Sequence, residues 1–215
     1  MQFFNLDNPI MQFLGKVCDL IILNLLFMLC CLPIVTVGAS LTAMYSVTLK
    51  MAKGEEGYIA KGFFISFKND FKISTISWLI VLILGIGFAM NFYLAPQLFP
   101  GIGGIIQVIL IPIILSLLSL ILYLFPYIAR FENTMKETFR NACLISIANF
   151  PYTILLFLIN SVGVVLFLAV NPQLVGGLWM MVGFSSFAYL NSMLFRRIFS
   201  KYEPPAEEEN TREEE

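Results

Sequence analysis

Histidine is absent from this 215-residue chain, and only 13 % of its residues are charged. Without His there is no imidazole general base, and the usual zinc and haem ligand sets are disfavoured. No Gly-rich phosphate loop leads into a Lys-Ser/Thr helix start, so the chain is not itself an ATPase. No two acids stand one helical turn apart inside an apolar block. These absences argue against an enzyme, and no cofactor is expected. Cysteine is sparse too. Cys18 and Cys30 would lie about 18 Å apart along one helix, too far to bridge, and with Cys31 and Cys143 they read as small hydrophobes buried in the membrane. The opening MQFFNLDNPIMQFLGK lacks the basic start and small-residue cleavage box of a signal peptide, so the first helix is expected to stay on the protein. Nothing points to a nucleic-acid partner.

What is present is apolar: 59 % of the residues are hydrophobic and 14 % aromatic, against about half and a quarter charged for soluble domains. The excess falls in blocks long enough to span hydrocarbon. Four are clear, at 73–94, 105–127, 150–170 and 178–195. The tail Glu203–Glu215 holds seven acids and one Arg and is expected to be a disordered acidic segment. With it set aside, 13 basic and 14 acidic residues become 12 and 7. Residues 1–202 then form a single integral membrane domain.

Positive charge orients the blocks. Lys50, Lys53, Lys61, Lys68 and Lys72 hold one connection inside; Arg130, Lys136 and Arg140 hold another; Arg196, Arg197 and Lys201 hold the C-terminus. The connections near 94–104 and 170–177 carry no charge and become outer turns. The first fifty residues decide the helix count. If the chain turns at Pro33–Gly38, helices at about 13–32 and 35–51 put Lys16 inside with every other base. A single crossing would put the N-terminus outside and give five helices. A repeated motif favours the turn. APQLFPGIGG (95–104) and NPQLVGG (171–177) share Pro-Gln-Leu and a Gly pair, and LPIVTVG (32–38) also runs from Pro to Gly without a charge. The expectation is an all-α, polytopic membrane protein. It has six transmembrane helices in three hairpins, five if the opening segment crosses once, with both termini cytoplasmic.

Two inner connections are amphipathic. Phe63, Phe67 and Phe71 recur every four residues with Lys61, Lys68 and Lys72 largely opposite. Phe131, Met135, Phe139 and Ala142–Cys143 share one face; Glu132, Lys136, Glu137, Arg140 and Asn141 share the other. Both read as helices at the inner interface, either as plain anchors or as a docking platform. The candidate partner-binding residues are Lys61, Lys68, Glu132, Lys136, Glu137 and Arg140. Polar residues within the apolar blocks form a second candidate set, because they must find partners in hydrocarbon. These are Asp19, Asn24, Asn91, Asn160 and Asn191, with Gln107 beside them. Asp19 is one turn from Lys16. Packing through interhelical hydrogen bonds and a polar substrate path both account for the asparagines.

DLIILNLLFMLCCLPIVTVGASLTAMY, GYIAKGFFISFKNDFK and YLFPYIARFENTMKETFRNA resemble the YesL-like family of bacterial multi-pass membrane proteins of unknown function. The resemblance covers about residues 5–200, with LPIVTVGAS its most specific part. It implies a plasma-membrane location and, through genes commonly found nearby, an accessory or regulatory role in carbohydrate (oligosaccharide) ABC uptake or its sensing. The protein partner would be an importer component or sensor kinase at the cytoplasmic face. A neutral-sugar transporter or channel is the alternative. No site residue carries over from the family.

Overall fold

The computed structural model describes residues 9–55, 57–99, 101–169 and 176–203, and these form helices joined by short turns, with no strand among them. Eight α-helices follow one another: α1 (Pro9–Cys30), α2 (Val37–Lys53), α3 (Ile59–Asn69), α4 (Phe71–Leu98), α5 (Gly103–Ile128), α6 (Met135–Ala148), α7 (Phe150–Ala169) and α8 (Gly176–Phe199). Five of them, α1, α2, α4, α5 and α8, are long and apolar enough to cross a membrane. The pair α6 and α7, bent by 94° at Asn149, adds a sixth if taken as one span. The chain is therefore a multi-pass α-helical membrane protein.

The chain turns between α1 and α2. Pro33 has no N–H to continue α1, and a short 3-10 turn, Ile34–Thr36, follows it. Thr36 Oγ1 donates to Cys30 O at 2.6 Å and to Pro33 O at 2.8 Å, and so occupies carbonyls at the end of α1. Trp78 Nε1 of α4 donates to Ile34 O at 2.8 Å and pins the turn from outside. At the other end of the hairpin Lys16 and Asp19 share a cleft with Lys50 and Met51, so the two helices run antiparallel.

Burial runs opposite to apolarity. The most apolar span, α5, is 6 % buried over its hydrophobic window, whereas the far less apolar α2 is 61 % buried. Lipid is as apolar as Leu, so apolarity alone does not drive a helix inward; close approach and hydrogen bonds do. Helix α2 supplies both. Gly38, Ala39, Ser40, Ala43 and Ser46 keep it thin, and it packs against α1, α3, α4, α5 and α8. Its hydroxyls then clip the neighbours. Thr42 accepts from Ser74 of α4 at 2.8 Å, Ser46 shares a hydrogen bond with Ser66 of α3 at 2.7 Å, and Thr48 shares one with Ser192 of α8 at 2.7 Å. Tyr45 and Tyr123 each meet the ring of Phe195 edge-on, at 6.1 and 5.2 Å. By contrast, α4 beyond Val81 buries only Ala95, and packs mainly on α5.

The two amphipathic helices exist, but their faces differ from the expectation. The rings of Phe63, Phe67 and Phe71 do form a row, with centroids 6.1 and 5.5 Å apart, but it crosses a break: Phe63 and Phe67 lie on α3 and Phe71 opens α4 after Asp70. That row does not anchor in lipid at its start: Phe63 is fully buried against the protein, and the exposed apolar pair is Phe64 and Ile65. In α6 the buried face is Thr138, Ala142, Ile145 and Ser146, rotated from the face read in the sequence. Cys143 is exposed, and the buried side of α6 rests on α5.

Gly38 tests the central position of α2. A Cβ there would lie 2.5 Å from both Ser74 O and Trp78 Cβ, and backbone oxygen has little room to retreat. Gly38→Ala is expected to destabilise the protein by about 1–3 kcal/mol, read as a lowered unfolding midpoint in detergent. Gly85→Ala, in open space on α4, should leave the midpoint unchanged.

Candidate functional site

The polar residues singled out within the spans separate into three places. Asn24 is fully buried and meets α8 where that helix loosens into a π turn, Trp179–Gly183. Its Nδ2 donates to Met180 O at 2.7 Å and Trp179 O at 3.2 Å, and its Oδ1 accepts from Ser185 N–H at 3.0 Å. Met180 O and Ser185 N–H are an i, i+5 pair, so one carboxamide bridges the widened ladder of the π turn. Ser185 Oγ returns the contact by donating to Leu20 O at 2.7 Å. Trp179 folds over Gly183, where a Cβ would sit 2.7 Å from the indole, and stacks on Phe187 at 5.1 Å.

Asn160 of α7 and Asn191 of α8 form the second place. Each carboxamide donates to the other, at 3.4 and 3.3 Å, and Asn191 also donates to Tyr45 OH at 3.4 Å. Asn191 is 1 % exposed and Asn24 0 %, and neither lines a sizeable cavity. Asn160 borders a groove between α5 and α7 whose other walls are almost entirely aliphatic and aromatic. Asn91 joins neither group. It is exposed on α4 and donates to Gly87 O of its own helix at 2.9 Å, while Gln107 of α5 reaches Phe92 O of α4 at 3.0 Å. Asn24, Asn160 and Asn191 thus spend their carboxamides on bonds between helices.

The third place is the rim where α2, α5 and α8 end. Asp19 belongs here, on the wall of the cleft shared with Lys16 and Lys50. Gly54 closes α2 in the left-handed conformation, φ 80°, and donates to Lys50 and Met51 carbonyls. Arg196 Nη1 donates to Ala52 O at 2.7 Å, a cation at a helix C-terminus. Glu203, counted with the acidic tail in the sequence reading, instead belongs to the folded body. It pairs with Arg130 at 2.7 Å and Lys53 at 3.4 Å, so one carboxylate ties the ends of α5 and α2 to the chain leaving α8. Arg130 beside it is the main reason its pKa is held below the usual carboxylate range. The remaining tail, 204–215, lies outside the described residues. Tyr202 OH accepts from Asn149 Nδ2 at 3.0 Å, which fixes the elbow between α6 and α7.

The proposed partner-binding residues all point outward: Lys61 and Lys68 on α3, Glu132 before α6, and Lys136, Glu137 and Arg140 on it. Glu137 already has a local role. Thr134 N–H and Oγ1 donate to its Oε2 at 3.1 and 2.7 Å, closing a capping box at the start of α6, and these bonds lower its pKa. The spacing Thr134-x-x-Glu137 was the available signal for this. Glu132 faces Asp70, whose pKa is raised chiefly by burial and secondarily by Glu132. Tyr127 OH, accepting from Asn133 and Asn141 at 2.8 and 2.9 Å, holds the loop before α6 in place.

A family described as "Protein of unknown function, DUF624" matches residues 20–92. Over that stretch, the chain is similar to this family. The match runs from α1 into α4 and includes LPIVTVGAS. It covers the turn, α2 and α3, the parts on which the rest packs. No curated protein and no solved structure matches the chain.

Two predictions arise from this geometry. Asn24→Leu leaves Met180 O and Ser185 N–H without their bridge in a buried site, so it should cost about 1–3 kcal/mol. Asn91→Leu should cost under about 0.5 kcal/mol, and unfolding midpoints in detergent compare the two. The Glu203 clasp should be acid-sensitive. A carboxylate with a depressed folded pKa adds stability above its unfolded pKa, and that stability disappears as pH falls through the folded value. Glu203→Gln should therefore remove the clasp at neutral pH, by about 1 kcal/mol or less because the pair is solvent-screened. Limited proteolysis after residue 199 should rise in the variant at pH 7, and in the wild type only once the pH falls below the ordinary carboxylate range.

Proposed function

We propose that this protein is a non-enzymatic accessory or regulatory subunit of a bacterial plasma membrane, working through its charged rim with both termini on the cytoplasmic side. The observation that carries the reading is how its polar groups are used. Asn24, Asn160 and Asn191 are committed to neighbouring helices, whereas Lys136 and Arg140 stand exposed on α6 without an ion pair within 4.0 Å among the described residues. A transporter needs polar groups that face a path; a docking protein needs charge that faces out. The face of α6 is mixed in sign, with Lys136, Glu137 and Arg140 together. Adhesion to anionic lipid alone would favour a uniformly basic face. The face is held rigidly, since the capping box, the Tyr127 hydrogen bonds and packing on α5 fix it.

The resemblance to the YesL-like family points to the partner class, an oligosaccharide ABC importer component or its sensor kinase. The rival reading is a neutral-sugar transporter, which would require no ionisable residue at depth.

The test compares Lys136→Glu/Arg140→Glu with Asn24→Leu/Asn160→Leu, scoring growth on oligosaccharide and co-purification of membrane proteins. The reversals should abolish both while leaving the unfolding midpoint unchanged, and the asparagine changes should lower stability first. Sugar movement into liposomes containing only this protein, stopped by the asparagine changes in folded material, would replace this reading with the transporter.

A further inference from the structure

A separate feature on the rim has a chemistry of its own. Between the start of α1, the end of α2 and the start of α3 lies a cleft of about 220 Å³. Each helix brings one lysine to its wall: Lys16, Lys50 and Lys61. Among the described residues Asp19 and Glu55 are the acids on that wall, so the described cations outnumber the anions there. The inner wall is apolar, with Val47 and Met51 buried behind the lysines. Exposed Ile65 lines the cleft, and exposed hydrophobic side chains stand within a turn of its lysines, Phe13 and Leu14 near Lys16 on α1 and Phe64 near Lys61 on α3. Tyr58, 88 % exposed at the edge, is an amphipathic ring of the kind that settles at headgroup level.

Lys16 and Lys50 belong to membrane-spanning helices, about 20 Å of helical rise from the α1–α2 turn. That is short of the roughly 30 Å of hydrocarbon that a span must cover. Their ammonium groups therefore work at the lower edge of the headgroup layer, where a cation needs an anion beside it. A site with cations at its rim, an apolar wall and apolar flanks matches an amphiphile with a negative head. A free anion would use only the lysines, and an acidic peptide would leave the hydrophobic flanks uncovered.

We propose that this cleft binds the phosphate headgroup of an anionic membrane phospholipid, with Lys16, Lys50 and Lys61 as its cationic ligands and the acyl chains lying along Ile65 and Phe64. A bound lipid of this kind would bridge α1, α2 and α3 on their outer side, as Glu203 bridges α2 and α5. The site is independent of the α6 face, so either proposal can fail without the other.

Native mass spectrometry of the detergent-solubilised full chain provides the test. Phosphatidylglycerol and phosphatidylcholine with the same acyl chains are added in parallel. The expected result is a one-to-one phosphatidylglycerol adduct that outlasts the phosphatidylcholine adduct under collisional activation. Each of Lys16→Gln, Lys50→Gln and Lys61→Gln should weaken it about fivefold. The control variant Lys68→Gln/Lys136→Gln/Arg140→Gln removes three charges elsewhere and should leave it intact. Equal retention of the two lipids by wild-type protein overturns the proposal whether or not the variants fold. So does an equal loss in the control variant. Displacement of the lipid by millimolar inorganic phosphate would mean that the ligand is a free anion.

Discussion

A polar side chain inside hydrocarbon must take its hydrogen bond from another part of the protein, because the solvent offers none. Helix α2 turns that constraint into an architecture. Thr42, Ser46 and Thr48 lie along its length, and each hydroxyl is met by one from a different helix, Ser74, Ser66 and Ser192. The helix is thin enough at Gly38, Ala39 and Ala43 for those partners to reach it. Three short hydrogen bonds thus fix α3, α4 and α8 around one strut. Among the described residues, Thr75 and Ser77 of α4 are the buried hydroxyls left without a partner. They lie within one turn of Ser74, where α4 is buried on more than one side, so this stretch holds one matched and two unmatched groups.

From this strut the structure grades outward. The centre is polar, close-packed and committed. The α4–α5 hairpin is nearly all apolar and leaves most of its length exposed, which suits a surface whose neighbour is lipid. The rim gathers the charge: Arg196 on the end of α2, Glu203 between Arg130 and Lys53, Glu137 on the start of α6. Each of these charges completes a helix end or joins two of them. Lys136, Arg140 and the cleft lysines stand outside this scheme, and for that reason they are the residues to which a role beyond folding is assigned.

Much of this was legible in the sequence, and the failures have physical causes. The turn could be read because Pro33 breaks a helix by its missing N–H and the stretch to Gly38 carries no charge. The pairing of Phe63 with Phe67 could be read because a period of four places side chains on one helix face, whereas the break at Asp70 that puts Phe71 on α4 could not. What those rings face could not, since periodicity gives a direction without naming the neighbour; Phe63 turned into the protein and is fully buried. The central place of α2 was hidden because hydropathy ranks helices by apolarity, and in a bilayer the most apolar helix has least need of the interior. Asn24 stood out as a polar residue at depth, but its partners are backbone groups of Trp179, Met180 and Ser185, more than 150 residues away, released by a π turn that no local pattern announces. Glu203 was lost to the composition of the tail that follows it. Its two cations, Arg130 and Lys53, come from distant helix ends.

The central claim is that α1 and α2 form a membrane-crossing hairpin, so that the buried strut begins on one side of the bilayer and ends on the other. Single cysteines at Val35, in the turn, and at Glu55, just past α2, test it in a variant with the four native cysteines replaced. Intact cells and inverted vesicles are treated with a membrane-impermeant thiol reagent. The account predicts opposite results: Val35→Cys labelled only in intact cells, Glu55→Cys only in inverted vesicles. Labelling of both positions from the same side would contradict it.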